Sequence, residues 1–240
     1  FYSDWFFRRL EEGYLYVRNP MNPGQVSKIL LNQDTVDCFV FWTKDPGPMM
    51  ERLSVLNRLG YPYYFQFTLT PYGTDVEPGV PHKNELVRTF RELSCRLGPE
   101  RVIWRYDPVL LSPSYTREYH FQWFSRLCGS LEGYTHTCVI SFLDIYRKIK
   151  GRMEQIQPRT MTGSHFCRYC YANFSPAQVE ANRRMHDPES PLLCGRLTGE
   201  ERITVREMKS AVRPADDGQM RLGFHDAELM RLTGKPGRII

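Results

Sequence analysis

The chain has 240 residues and a formal net charge of +5, with 41% hydrophobic and 25% charged residues. This composition is ordinary for a globular protein, and the mild charge, spread along the chain, argues against a general nucleic-acid binder. No apolar run approaches the ~20 residues that cross a bilayer, so we expect no membrane partner. Seven cysteines, scattered except for one pair, favour a reducing cytoplasmic location over a disulfide framework.

The first thirty residues predict one helix and two short strands. Residues 3–12 are amphipathic, with Ser3 placed to cap the helix and Gly13 placed to end it. The runs 14–17 and 26–31 are strand-like and are separated by turn signals containing Asn, Pro and Gly. They predict either a hairpin or an excursion at the mouth of a larger sheet.

A regular alternation of strands and helices begins near residue 36. Nearly continuous apolar runs predict buried strands, and the amphipathic stretches between them predict helices. The predicted strands are 36–42, 63–69, 102–104 and 137–143, and the predicted helices are 46–59, 84–97 and 114–131. This alternation indicates parallel βαβ units whose successive strands are neighbours in one sheet. Four units are half of an eight-stranded barrel or most of an open doubly wound sheet, and the lack of a glycine-rich phosphate loop disfavours a dinucleotide-binding version.

Polar side chains gather where the predicted strands end. Because the carboxyl ends of parallel strands open onto one face, we expect these side chains to converge into a site for a polar ligand. The candidate substrate- or cofactor-binding residues are Lys44, Asp45, Gln66, Thr68, Arg105, Asp107 and Asp144. The alternative is that they form loop salt bridges and helix caps, since Asp45 and Asp107 each precede a proline. Arg105 and Gln66 adjoin strongly apolar strands, where a buried guanidinium or amide needs a partner.

One pair of cysteines, Cys167 and Cys170, has the spacing of a metal or cluster site. A Cys-x-x-Cys turn directs both thiolates toward one point, which an iron–sulfur cluster or a soft metal can occupy. A redox pair, a structural zinc half-site or two buried thiols in a turn would have the same spacing. Cys194, in a loop-like stretch, and His165 are candidates for a third ligand.

The residues from 159 onward lack the strand–helix alternation. Residues 167–184 predict a turn leading into a helix, 186–198 are irregular, and 204–212 predict a last helix before a loose tail.

Several strings of this sequence, taken together, resemble one bacterial family. They are residues 16–20, 41–46, 64–73 and 102–108, and near the C-terminus 167–173, 186–188 and 190–193. These strings resemble the family called domain of unknown function 1848, over most of residues 1–150 and 165–225. The cysteine cluster of that family is similar to the three-cysteine iron–sulfur motif of radical S-adenosylmethionine enzymes.

The resemblance implies a fold and a chemistry. The implied fold is α/β, with parallel βα repeats forming a partial TIM-barrel-like barrel over residues 1–158 and a C-terminal cysteine-containing segment, 159–240, packed on it. The implied activity is that of a radical S-adenosylmethionine-like enzyme, with a 4Fe-4S cluster and S-adenosylmethionine as cofactors and a reductant as partner. The resemblance implies no particular substrate, so we expect an unspecified small molecule.

The chain departs from the family pattern at three places. Gly163 stands where the first cluster cysteine falls, the stretch between Lys150 and Met161 is short, and the chain opens at Phe1 without the strand expected before the first helix. We therefore expect an incomplete chain or a degenerate member that binds a cluster weakly.

Two other functions remain open at this point. The first is a barrel protein whose Cys-x-x-Cys holds a structural zinc and performs no radical chemistry. The second is a nucleic-acid-processing module, suggested by the aromatic residues between 61 and 67. Because side chains alternate between the two faces of a strand, core filling is the simpler use of these aromatic residues.

Overall fold

The structure is a computed structural model of the chain, and it describes residues 2–143, 176–207 and 238–239. The chain forms two compact units. The first comprises Phe1–Phe39, Glu51–Pro62 and Asn173–Asp216, and the second comprises Val40–Met50, Tyr63–Ala172 and Asp217–Ile240. The boundary predicted between residues 158 and 159 lies outside the described residues.

The first unit begins with the predicted amphipathic helix, α1 (Ser3–Glu12). Gly13 ends the helix as predicted: it has a φ of 78°, and its N–H donates to the carbonyls of Arg9 and Leu10. The predicted cap at Ser3 is wrong, because Tyr2 occupies the N-cap position and no side chain caps the helix. Ser3 is instead the first helical residue.

A three-stranded sheet completes the first unit. Strands β1 (Tyr14–Arg18) and β2 (Gln25–Leu30) form an antiparallel hairpin, the first of the two arrangements that the sequence left open. A later strand, β7 (Arg202–Val205), pairs with β2 in parallel. The helix predicted over 204–212 is therefore wrong at its start, because Thr204 and Val205 are β-branched and pair with β2.

Helix α1 also holds a segment that is distant in sequence. The indole Nε1 of Trp5 donates to the carbonyl of Ser190 at 2.8 Å, and Arg9 Nη2 donates to the carbonyl of Glu189. The N–H of Tyr16 in β1 donates to the carbonyl of Pro191. These contacts fix the irregular stretch that follows α6 (Pro176–Arg184), so this loop is ordered without regular structure of its own.

The predicted helix 46–59 is divided in two. Helix α2 (Gly47–Met50) belongs to the second unit and helix α3 (Leu53–Arg58) to the first. Arg52, between them, has φ −102° and ψ 1°, which lies outside the regular helical range. The break therefore falls at this residue rather than at a proline or glycine.

The second unit contains a larger sheet with the strand order β3-β4-β5-β6-β8. Its strands are β3 (Phe39–Thr43), β4 (Tyr63–Thr68), β5 (Val102–Val109), β6 (Thr137–Phe142) and β8 (Arg238–Ile239). The pairs β4–β5, β5–β6 and β6–β8 are parallel, which confirms the predicted α/β fold with parallel βα units. In the part of the chain that the structure describes, the strand order runs from one edge to the other without closing, so the barrel remains a prediction.

One face of this sheet is covered by two helices, α4 (Lys83–Leu97) and α5 (Arg117–Leu131). Phe67 of β4 packs on Phe90 of α4 with ring centroids 5.0 Å apart, and Trp104 of β5 stacks on Phe124 of α5 at the same separation. Tyr63, Phe65 and Phe67 are all buried, as expected of core residues rather than a base-stacking surface. The intervening residues of β4 and β5 point to the opposite face.

No helix within the described ranges is both long enough and apolar enough to span a membrane.

Candidate functional site

The centre of the second sheet face is occupied by Arg105. It lies in the middle of β5, between the buried residues Trp104 and Tyr106, so strand alternation directs its side chain away from the two helices. Its Nη1 donates to Gln66 Oε1 at 2.7 Å, and its Nε donates to Asp107 Oδ2 at 3.0 Å. The Arg105 Nη2 also contacts Asp107 Oδ2. The neighbouring strand β4 and the same strand β5 thus supply the two partners of one guanidinium.

Two further side chains extend this group. The guanidinium carbon of Arg105 lies 4.1 Å from the centroid of the Trp42 ring, from β3. The hydroxyl of Ser141, from β6, donates to Asp107 Oδ1. We call these five residues, Trp42, Gln66, Arg105, Asp107 and Ser141, the Arg105 cluster. The cluster spans four neighbouring strands.

The Arg105 cluster combines charge balance with partial exposure. The side chains of Arg105 and Asp107 are 14% and 15% exposed, so their ion pair is largely shielded from water. In such an environment hydrogen bonds and ion pairs are stronger than in bulk water. Trp42, in contrast, is 60% exposed. A shielded polar array beside an accessible indole is a surface that can hold a polar molecule.

A second polar group surrounds Glu77, in the loop between β4 and α4. Its carboxylate accepts hydrogen bonds from Lys44 Nζ at 2.8 Å, Lys83 Nζ at 2.7 Å and the hydroxyl of Thr70 at 2.6 Å. Lys44 and Thr70 follow the ends of β3 and β4, and Lys83 is the first residue of α4. We call these four residues, Lys44, Thr70, Glu77 and Lys83, the Glu77 cluster.

Burial and the neighbouring charges shift the pKa of Glu77 in opposite directions. Burial by itself raises the pKa of this carboxyl, since only 1% of the side chain is exposed. The ammonium groups of Lys44 and Lys83 outweigh burial and hold the pKa of Glu77 below its usual value. Glu77 is therefore ionised at neutral pH, and it ties the loop before α4 to the end of β3.

The structure places the residues predicted at the strand ends in different surroundings. It brings Gln66, Arg105 and Asp107 together, whereas Lys44 pairs with Glu77. Asp45 is exposed, and its Oδ1 accepts from the N–H of Gly47, so it caps the start of α2 as the alternative interpretation proposed. The role of these residues in ligand binding stays a prediction.

The remaining strand-end candidates are Thr68 and Asp144. Thr68 is buried at the end of β4, two residues after Gln66 and hence on the same side of the strand. Asp144 lies outside the described residues. For Asp107, the alternative role as a helix start is wrong, because β5 continues through Asp107 to Val109.

The predicted metal ligands fall almost entirely outside the described residues. This applies to Cys167, Cys170 and His165, and also to Gly163. Cys194 is described: it is half-buried in the loop after α6, and burial raises the pKa of its thiol. Within the described part of the chain, no three His, Cys, Asp or Glu side chains are grouped to hold a metal ion, so the ligand set stays a prediction.

A buried tyrosine–histidine pair supports the loops next to the Arg105 cluster. The Tyr106 hydroxyl lies 2.8 Å from His120 Nδ1, and His120 Nε2 lies 2.8 Å from the carbonyl of Leu110. Because a carbonyl only accepts, His120 Nε2 carries a proton and donates to Leu110. Burial raises the pKa of Tyr106, which keeps its hydroxyl protonated. The pair therefore links α5 to the end of β5.

Sequence reasoning missed Trp42, Ser141 and the centre of the Glu77 cluster. Strand alternation carried a usable signal for Trp42, because it places residue 42 on the opposite side of β3 from Phe41, which stacks on the buried Phe65. No sequence signal identifies Glu77. It lies in a loop, 33 residues from Lys44, and only the fold brings the two together.

Comparison with known proteins identifies a family. No curated protein and no solved structure matches this chain. The model of one family, described as Domain of unknown function (DUF1848), matches residues 1–165. The match includes every residue of both polar clusters and ends before Cys167. Because it covers well over half of the sequence, the chain belongs to the DUF1848 family.

Proposed function

We propose that this protein is an enzyme that binds a polar small molecule at the Arg105 cluster and that, with a full set of cluster ligands, carries an iron–sulfur cluster of the radical S-adenosylmethionine type. The observation that carries the first part is the Arg105 guanidinium, which is bonded to Gln66 and Asp107 and stacked on Trp42. The second part is carried by the resemblance of the Cys167–Cys170 string to a cluster motif.

Fold stability alone does not explain why these polar residues form the Arg105 cluster. Well-packed apolar side chains in place of a buried ion pair are often as stabilising or more so, because both ions must lose their water. Ligand sites in parallel α/β folds form at the carboxyl ends of the strands, and a few convergent polar groups there fix the orientation of the ligand. Asp107 lies in the second half of β5, toward that end, and Arg105 lies in the middle of the strand. A binding role accounts for both their identity and their position.

The polar residues present match the chemistry of the implied cofactor. S-adenosylmethionine carries ribose hydroxyls, and hydroxyls can bond to a guanidinium, a carboxylate or an amide. When bound, such a cluster and cofactor supply reductive cleavage that generates a hydrogen-abstracting radical. The protein's own residues would orient the polar groups of the cofactor or substrate, with Arg105 and Gln66 as hydrogen-bond donors and Asp107 as an acceptor.

The cluster proposal is tested by anaerobic reconstitution with iron and sulfide, followed by metal analysis and visible absorption. Three proteins are compared: the chain itself, Gly163→Cys and Cys167→Ser. Because cluster binding and local folding are coupled, an incomplete ligand set should hold little iron. We expect Gly163→Cys to raise the iron content, and the reduced variant to cleave S-adenosylmethionine.

Stoichiometric zinc in all but the Cys167→Ser protein, with no cleavage, would replace the radical proposal by a structural zinc site.

The binding proposal is tested separately by calorimetric titration of S-adenosylmethionine into Arg105→Lys. Lysine keeps the charge but cannot donate to Gln66 and Asp107 as a planar fork. The matched control is Arg88→Lys, at an exposed position on α4. Binding of S-adenosylmethionine that is equally strong in both variants would remove Arg105 from the site.

A further inference from the structure

We infer that the Arg105 cluster takes a neutral ring that carries adjacent hydroxyl groups, as a sugar or the ribose of a nucleoside does, with the ring lying against Trp42. This inference rests on the proposed function in one respect, because it concerns the same site and names the class of molecule that binds there. It does not depend on the iron–sulfur cluster.

The charge of the cluster argues for a neutral ligand. Arg105 and Asp107 are the two charged members, and they are bonded to each other. Gln66 and Ser141 carry no charge, so the cluster as a whole is neutral. An anionic ligand close enough to bond Arg105 would also meet the Asp107 carboxylate, and a cationic ligand would meet the guanidinium. A neutral ligand is repelled by neither group.

The arrangement of donors and acceptors argues for hydroxyl groups. Three nitrogens of Arg105 donate to Gln66 and Asp107, and a guanidinium has five N–H groups in all. Gln66 accepts through Oε1 and has two amide N–H donors besides, while a carboxylate such as Asp107 has acceptor sites beyond its present contacts. Donors and acceptors therefore alternate across β4 and β5. A hydroxyl both donates and accepts, so two adjacent hydroxyls can bond a donor and an acceptor at once.

The exposure of Trp42 argues for a ring. An indole that is 60% exposed contributes little to a core, yet it is held in place by the Arg105 guanidinium 4.1 Å from its centroid. Sugar rings have an apolar C–H face and a hydroxyl-bearing edge. A ring whose C–H face covers part of the indole presents its edge toward the polar groups. Because the indole is already held in place, it loses less conformational entropy when a ligand binds.

The inference is tested by calorimetric titration of the chain, without reconstitution, with two neutral rings and two anions. Methyl α-D-glucopyranoside represents a free sugar and adenosine a nucleoside, and succinate and inorganic phosphate are the charged comparators. We expect at least one ring to bind more tightly than either anion. The stronger of the two rings identifies the source of the hydroxyls.

Three variants locate the binding. Trp42→Ala removes the indole and Asp107→Asn removes one charge while keeping the shape of the side chain. Each should weaken ring binding about tenfold, the loss expected when one favourable contact is removed. Phe121→Ala, at a 73% exposed aromatic of α5, is the matched control and should bind as the unaltered chain does. Because Asp107→Asn leaves Arg105 uncompensated, it should also bind phosphate more tightly than the parent.

Tighter binding of an anion than of both rings, the absence of ring binding, or ring binding that is unchanged in Trp42→Ala would overturn the inference. Anion binding that is lost in Arg105→Lys would overturn the inference and leave the proposed binding site intact. Failure of iron–sulfur reconstitution would affect the proposed function alone, since these titrations use the chain without the cluster.

Discussion

The Arg105 cluster and the Glu77 cluster use the same kinds of residue in opposite ways. In the first, one cation faces one anion on a regular sheet face, beside an exposed indole. In the second, two lysines and a threonine surround a carboxylate with only 1% of its side chain exposed. The Glu77 contacts close a loop onto the sheet, whereas the Arg105 contacts leave accessible groups at the sheet face. Charged residues near strand ends therefore divide into a loop-fixing set and a sheet-face set, and the exposure of the carboxylate differs between them: 1% for Glu77 and 15% for Asp107.

The largest effect on stability is expected from Glu77→Ala. This change leaves Lys44 and Lys83 facing each other without the buried carboxylate, and breaking a buried ion pair costs about 3–5 kcal/mol of unfolding free energy. Urea unfolding measures the difference, with Glu85→Ala at an exposed position of α4 as the control. A loss no larger than that of the control would mean that Glu77 does not fix the loop, and the contrast between the two clusters would fail.

Acid should remove the same interaction gradually. The folded-state pKa of Glu77 is depressed by Lys44 and Lys83, so the unfolded chain takes up a proton at a higher pH than the folded chain does. Its stabilising effect is complete above the unfolded pKa of about 4.3 and is lost as the pH falls through the lower folded pKa. Unfolding free energies measured through this range should converge between the parent and Glu77→Gln as the pH falls. A constant difference between the two proteins would contradict the depressed pKa.

A smaller loss of stability is expected from Arg105→Lys. The lysine keeps a charge opposite Asp107 but loses the simultaneous contact with Gln66, so we expect a cost of about 1–2 kcal/mol. The affinity of the variant for a neutral ring should also fall, and by a larger factor than the loss of folded protein explains. Thermal melting and calorimetric titration of the same preparation measure both quantities. Stability lost to the extent seen in Glu77→Ala would make Arg105 a structural residue.

The smallest effect on stability is expected from Trp42→Ala. Because the indole is 60% exposed and its contact with Arg105 is a cation–π pair, its removal should change the unfolding free energy by less than about 1 kcal/mol. The matched comparison is Trp104→Ala, in the neighbouring part of the same sheet, where the side chain is buried and the expected cost is about 3–5 kcal/mol. Equal losses of unfolding free energy in the two variants would mean that Trp42 is part of the hydrophobic core.

The sequence by itself determined the local elements of the second unit. Strands β4 and β6 and helices α4 and α5 begin and end within three residues of the predicted positions. Hydrophobic periodicity decides these elements, because each must bury one face against the next. The same alternation predicted parallel strands, since a helix between two strands returns the chain to the end of the sheet at which the first strand began.

The tertiary structure alone decided which polar side chains meet. The sequence placed Lys44 and Arg105 in one group because both lie near strand ends, but the loop before α4 brings Glu77 to Lys44. Ser141 meets Asp107 only because β6 pairs with β5 in the observed register. The pairing of β7 with β2 is likewise nonlocal, and it places Thr204 and Val205, the start of the predicted helix 204–212, in a strand. Contacts between residues far apart in sequence depend on loop paths and strand register, and neither leaves a periodic signal along the chain.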